Sequence, residues 1–412
     1  MKKEKIDVII ERLQKINWDF SDFNSSKYPY DLNSIPWYPA TFISPIPRLL
    51  VASLSNQKDI VLDPFGGKGT TAMETLLQDR IPLYCDLNPF ISENTEGLFA
   101  AIEYVLYKEV ELENEEEKIH SIIVTQNEAE IVLKEYHIDS EVYKWFHKNT
   151  VCSLLSIVKL IHISENESSK RIELIRKLAF SSILKSASSQ TGHFTYVTDN
   201  CKPSTLKEKD AIQLYLEKIR QIIKAAQEFI DQYELSFPYS DLRIGLNKRK
   251  IITGNAKDLD WIPNDSVDLV VTSPPYLCSQ DYIKTMRLMN MFFDNSHAFY
   301  IDVKQEIGAR AQRRGKSEIV VPKFYYDMEI VFRNINRVLK KDKFFALVVG
   351  QGKSKITSGY DIVTDLKNIL INNYCFKLVF EKERQIGNRV IQVGGVDKES
   401  ILIFQNKGET QV

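Results

Sequence analysis

Cysteine is scarce in this chain of 412 residues, with only five, and Cys85, Cys152, Cys201, Cys278 and Cys375 lie far apart without any C-x-x-C pair. That odd, scattered set excludes a disulfide scaffold and fits a reduced, cytoplasmic setting. Long apolar runs are missing too. No window approaches the 18 apolar residues of a membrane span, and the start, MKKEKIDVIIERLQKINW, breaks its apolar positions with charges where a signal peptide would keep them continuous. Charge of one sign is lacking: 54 Lys+Arg stand against 55 Asp+Glu for a net charge of −1, so no histone-like field announces a polyanion partner. The six histidines, His120, His137, His147, His162, His193 and His297, have no ligand spacing, and no metal site is expected from them. What remains is ordinary globular composition, 43% hydrophobic and 26% charged, in a chain long enough for a large core with an insertion.

Residues 1 to 20 carry a helical apolar spacing through Val8, Ile9, Leu13 and Ile16. Residues 21 to 47 hold Pro29, Pro36, Pro39, Pro45 and Pro47 among many aromatics, which predicts an extended, turn-rich segment lying against something. A buried strand over Asp59 to Asp63, a glycine turn and a helix from Thr70 to Leu77 then follow, with a second strand over Pro82 to Asp86. About 150 residues of helical pattern come next, opening with the acidic run KEVELENEEEK at 108 to 118, read as solvated. The strand rhythm returns near Ile251, at Val267 to Thr272, and in three later segments starting at Phe344, Cys375 and Ser400. The stretch 305 to 321 reads as a loop carrying Arg310, Arg313, Arg314 and Lys316. The division expected is 1–95 for the first half of an α/β core, 96–247 for a helical insertion and 248–412 for the second half.

Two turns carry chemistry. In the first, Gly66, Gly67 and Gly69 permit a close turn after a strand, yet Lys68 is followed by Gly69, so the GK[ST] ending of a nucleotide triphosphate loop is absent. The G-x-G-x-x-G dinucleotide fingerprint is absent as well. Asp86, at the end of the second strand, offers a carboxylate to a pair of ribose hydroxyls, which fits an adenosine-containing cofactor. In the second turn, Ser273-Pro-Pro-Tyr276 follows a strand, and its consecutive prolines leave rigid outward carbonyls. The Ser273 hydroxyl and Pro274 carbonyl suit an exocyclic NH2, with Tyr276 stacking on the heterocycle so that the amine faces an electrophilic methyl group.

Together, Asp63-Pro-Phe-Gly-Gly-Lys-Gly-Thr-Thr71, Asp86-Leu-Asn-Pro89 and Thr272-Ser-Pro-Pro-Tyr276 resemble the DNA amino-methyltransferases that use S-adenosylmethionine, in particular the cytosine-N4 type of restriction-modification systems. The resemblance covers about residues 30 to 95 and 248 to 405. It implies a Rossmann-like class I methyltransferase core, α/β, with a large helical insertion between the second and third core strands. It implies cofactor contacts from Thr41, Phe42 and Ile43 in the segment before the first strand, from Asp63, Pro64, Phe65, Gly66, Gly67, Gly69 and Thr70, from Asp86, Leu87 and Asn88, and from Asn255 and Ala256. Asn255 stands where the family usually has an acidic side chain against adenine. Ser273, Pro274, Pro275 and Tyr276 take the catalytic place. The implied partner is double-stranded DNA with a flipped base, and a restriction endonuclease is the implied functional partner. The charge of Arg310, Arg313, Arg314 and Lys316, assisted by Lys248, Arg249 and Lys250, makes the basic loop the candidate phosphate contact. Block 96–247 is the expected target-recognition unit, within which Trp145 and Phe146 read as core. Adenine N6, an RNA amine, or an inactive nucleic-acid-binding role are the competing expectations. A carbon-5 cytosine mechanism is disfavoured, since no cysteine follows a proline.

Overall fold

The computed structural model describes residues 3–20, 23, 31–35, 38, 42–163, 167–190, 202–293, 305–352, 354–386, 396 and 398–408. Seven strands form one sheet: β1 (Ile60–Asp63), β2 (Ile81–Asp86), β3 (Lys250–Thr253), β4 (Val267–Thr272), β5 (Leu339–Gly350), β6 (Phe376–Gln385) and β7 (Lys398–Asn406). Their order is β3-β2-β1-β4-β5-β7-β6. β7 runs antiparallel to both β5 and β6, while the remaining pairs are parallel. This is the Rossmann-like class I methyltransferase core, with a large helical insertion between β2 and β3. The strand order reverses between β1 and β4, and there the carboxyl ends of neighbouring strands open a crevice.

Period-two alternation sorts the strands' side chains onto two faces. Leu62, Val270, Phe345 and Leu402 share one cluster, while Val61, Leu269, Val271 and Ile403 belong to another. Against the first pack α12 (Ser317–Val338) and α13 (Ile362–Asn373), through residues such as Val331 and Leu366. Against the second pack α1 (Lys3–Gln14) and α2 (Pro45–Leu54). Helix α2 corrects the reading of 21 to 47 as extended throughout. Pro45 opens the helix and Pro47 follows in its first turn, where a backbone N–H has no intrahelical acceptor and proline costs nothing.

The insertion comprises α4 (Pro89–Leu106), α5 (Glu115–His120), α6 (Gln126–Glu135), α7 (Lys148–His162), α8 (Glu167–Ala187), α9 (Ala211–Ser236) and α10 (Leu242–Lys248). Its apolar faces merge with Ala72, Met73 and Leu76 of α3 (Thr70–Leu77) and with Tyr84 of β2 in one continuous cluster. Trp145 and Phe146 are fully buried in it. The acidic run is not wholly solvated: Glu115 is 2% exposed and receives Arg176 Nη2 at 2.6 Å, Arg176 Nε at 3.1 Å and Tyr215 Oη at 3.1 Å. Such a carboxylate tolerates burial because a bidentate guanidinium and a hydroxyl replace its water. Among the described residues no helix is long and apolar enough to cross a membrane.

Candidate active site

The turn after β1 is stitched down on both sides. Gly66 N–H donates to Cys85 O at 2.9 Å, Gly69 N–H to Gly66 O at 2.9 Å, and Tyr84 Oη to Gly67 O at 2.6 Å. Gly67 and Gly69 have φ of 49° and 83°, the left-handed region that favours glycine. Gly66 answers a different demand, since a Cβ there would lie 2.1 Å from the Tyr84 ring. The loop therefore presents backbone at a place where side chains do not fit.

Two carboxylates close this half of the site. Asp86 Oδ2 accepts from Gly67 N–H at 2.8 Å and its Oδ1 from Asn88 N–H at 2.9 Å, which leaves lone pairs for further donors. Asp63 Oδ1 accepts from Phe65 N–H at 3.1 Å and from Thr272 Oγ1 at 2.6 Å. Burial pushes each of the two up to about 6, against the pull of those hydrogen bonds. Gly254 N–H donates to Asp86 O at 2.8 Å, which seats Asn255 beside the same carboxylate's strand end.

The second half comes from the end of β4. Ser273 Oγ lies 3.4 Å from Tyr276 Oη, and Tyr276 Oη donates to Glu399 Oε2 of β7 at 2.6 Å. Burial and the Glu399 charge hold the Tyr276 hydroxyl well above its ordinary range, so it stays protonated. One cavity joins both halves: its walls include Phe42, the run Asp63 to Gly67, Thr70, Asp86 to Asn88, Asn255 and Ala256, and all of Ser273 to Tyr276. Two expected cofactor contacts lie apart from its walls. Ile43 packs against the cluster of α1 and α2, and Gly69 caps α3 with its Cα facing Thr95. Thr41 lies outside the described residues.

The cavity also has walls that the expected contacts did not include: Lys68 and Thr71 from within the first motif, and Tyr38, Tyr282, Gln305, Glu306 and Ile307 from outside the motifs. The Tyr38 and Tyr282 ring centroids are 6.1 Å apart with planes 32° apart. Glu306 is 5% exposed, and its Oε1 accepts from Tyr282 N–H at 2.6 Å. Lys68 Nζ donates to Asn33 O at 2.6 Å, and burial lowers its ammonium to about 8. This tie brings the segment before α2 over the glycine turn. The aromatics of residues 21 to 47 were the only available signal for Tyr38, and nothing local marked Glu306.

The stretch read as a basic loop is structured. A 3-10 turn, Arg310–Arg314, is followed directly by α12, and the turn is pinned by Arg310 N–H to Gln280 O at 2.7 Å and Ala311 N–H to Asp281 Oδ1 at 2.9 Å. Arg314 and Lys316 are exposed and Arg310 is half-buried. The side chain of Arg313 lies outside the described residues. Arg249 is drawn inward by Glu103 at 2.5 Å and Glu96 at 3.4 Å, unlike exposed Lys248 and Lys250. The insertion buttresses the segment after the Ser-Pro-Pro-Tyr turn. There α11 (Arg287–Phe292) sets Arg287 2.9 Å from Glu141 and lodges Phe292 against Phe146 and Phe180.

An N6/N4 methyltransferase family model, described as DNA methylase, matches residues 2–97. No curated protein matches the chain. Among solved structures the chain is similar to an rRNA methyltransferase, aviRa from Streptomyces viridochromogenes, at 12% identity and a TM-score of 0.35, covering 93% of this chain and 93% of that one.

Proposed function

We propose that the protein transfers a methyl group from S-adenosylmethionine to an exocyclic amine of a nucleic-acid base. One observation carries this reading: the glycine turn with Asp86 and the Ser-Pro-Pro-Tyr turn line the same cavity. The residues present fit the cofactor. Among the described residues, the cavity-wall atoms Thr70 Oγ1 and Asn88 Nδ2 are buried without a hydrogen-bond partner in the protein, as expected of groups that serve a ligand. Asp86 would accept the ribose hydroxyls, and the glycine turn would admit the cofactor against its backbone. Bound there, S-adenosylmethionine supplies an electrophilic methyl group on a sulfonium centre.

The chain's own task is alignment. The Ser273 hydroxyl and Pro274 carbonyl accept N–H bonds from a planar amine and aim its lone pair, while Tyr276 stacks on the ring. An amine inside a duplex is out of reach, so the base must leave the stack, at a cost of about a few kcal/mol offset by enclosure and backbone contacts. No side-chain nucleophile is needed, and the developing positive charge on the amine is favoured by the carboxylates of the cavity.

DNA is the substrate this reading takes, supported by the family match over the cofactor half and by exposed Arg314 and Lys316, which follow the wall residues Gln305 to Ile307. Serine at the head of the turn supports cytosine N4 as the amine. The helices of 96–247, which hold the segment after Tyr276, are assigned to target recognition. The test is incubation with labelled S-adenosylmethionine and duplex DNA, single-stranded DNA or RNA, followed by digestion to nucleosides and mass spectrometry. Label in N4-methylcytosine from duplex DNA is expected. N6-methyladenine would overturn the base assignment, label in RNA alone would overturn DNA, and no label in any pool would overturn the reading.

A further inference from the structure

The motif tyrosine is held from behind by a chain of charged groups that ends on the N-terminal segment. Tyr276 Oη donates to Glu399 Oε2 at 2.6 Å, and Glu399 is paired in turn with Arg384 of β6. The side chains of Arg384 and Glu399 are 7% and 10% exposed. Arg384 Nε donates to Trp18 O at 2.8 Å and its Nη2 to Asp19 O at 3.2 Å. The strands that supply this pair, β6 and β7, are the last in the chain and carry none of the motifs.

A tyrosine hydroxyl has one proton to donate, and an ionised carboxylate can only accept. With the Tyr276 proton committed to Glu399, Tyr276 Oη can only accept on its other side, where Ser273 Oγ lies 3.4 Å away. That distance is long, as hydrogen bonds at catalytic sites often are before substrate binds. The Ser273 proton is therefore directed toward Tyr276, and the Ser273 lone pairs are left for the cavity that Ser273 lines.

We infer that Glu399 is a positioning residue that sets the polarity of the Tyr276 and Ser273 hydroxyls, so that the site accepts a base edge bearing N–H and disfavours one bearing a carbonyl oxygen. This inference rests on the proposed amino-methyltransferase function and adds the group that selects the amine. A carbonyl at the same place would set lone pair against lone pair. Without Glu399 each hydroxyl could rotate, and Ser273 could donate to either edge.

A double-mutant cycle tests it, with Glu399→Gln, Tyr276→Phe and the pair, using the base that the wild-type protein methylates and single-turnover methyl transfer. Glu399→Gln keeps the shape of the side chain and an oxygen for Arg384. Each single variant is expected to slow transfer about 10- to 100-fold, with unchanged affinity for S-adenosylhomocysteine, and the double variant to be no slower than the slower single one. A second readout is binding to duplexes that carry cytosine or uracil at the target position. The wild-type preference for cytosine is expected to fall about tenfold in Glu399→Gln. Multiplying losses in the double variant, or an unchanged preference, would overturn the inference while wild-type methylation upheld the function. Wild-type protein that binds cofactor and methylates nothing would overturn both. Should Glu399→Gln fail to fold, Tyr276→Phe alone decides, because a wild-type rate and preference without the hydroxyl would overturn the inference.

Discussion

Thr272 donates its hydroxyl to Asp63 at 2.6 Å, across 209 positions of sequence, and thereby joins the residue that precedes the glycine turn to the one that precedes Ser273. Both side chains are buried, at 1% and 3% exposure. The contact locks the carboxyl ends of β1 and β4 at the point where the strand order reverses. It follows that Thr272→Val, which keeps the branch and loses the donor, should lower stability by about 1–3 kcal/mol. The hydroxyl favours ionised Asp63, so its loss should be felt more at pH 8 than at pH 5. Urea unfolding at both pH values checks this, and equal losses would contradict the assignment of the bond to the ionised carboxylate.

Asp63 and Asp86 give the protein a second pH dependence. Burial raises each from 3.8 to about 6, so folding favours their protonated forms. The stability contribution is fully present below pH 4, is lost as pH rises through about 6, and is level beyond. Cofactor binding should run the other way over the same window. Ribose hydroxyls donate best to a carboxylate, so affinity for S-adenosylhomocysteine should rise from pH 5 to pH 7 and binding should release protons near pH 6. Calorimetric titration in two buffers of different ionisation enthalpy measures both, and a flat affinity with no proton release would contradict the role given to Asp86.

Gly66 offers a steric test. An added methyl group would meet the Tyr84 ring at 2.1 Å, and Tyr84 is itself fully buried with its hydroxyl tied to Gly67 O. Relief requires moving either the glycine turn or β2. Gly66→Ala should therefore cost about 1–3 kcal/mol and lower Tm, and it should also weaken cofactor binding by displacing Gly67 N–H from Asp86. A variant as stable as wild type would mean that the turn is looser than its hydrogen bonds indicate.

What could be read from the chain follows from the range of the interactions involved. Strand β4 and the turn after it were legible because Val267 to Val271, apolar except for Asp268, leads through Thr272 and Ser273 into two prolines, all within ten residues. Helix α3 was legible because glycine and threonine punctuate its start. Helix α2 was hidden by Pro45 and Pro47, whose composition says turn while their position in the first helical turn makes them harmless. Glu115 was hidden in a run of like charges, since the partners that make its burial tolerable, Arg176 and Tyr215, lie 61 and 100 positions away. Tyr282 and Glu306 meet at the site through a backbone-to-carboxylate bond between segments 24 positions apart. No periodicity or motif records that meeting.

With a net charge of −1, the proposed binding of DNA calls for a local basic surface rather than a whole-protein field. Arg314 and Lys316 are exposed on the segment pinned to Gln280 and Asp281, four and five positions beyond Tyr276. Each of Arg314→Ala and Lys316→Ala should weaken DNA binding to the same degree across sequences, and each should reduce the slope of log K against log salt by about 1. Neither should change S-adenosylhomocysteine affinity, because neither side chain lines the cavity. Arg249→Ala supplies the contrast. Its guanidinium is bound to Glu96 and Glu103 and lies over the Phe99 ring at 5.0 Å, so its removal should lower Tm and leave the salt slope unchanged. Fluorescence anisotropy of labelled duplex over a series of salt concentrations separates the two cases. If all three variants kept the wild-type slope, the phosphate contacts would have to come from another face, and the basic turn would be left with only its structural task of carrying the chain from the cavity wall into α12.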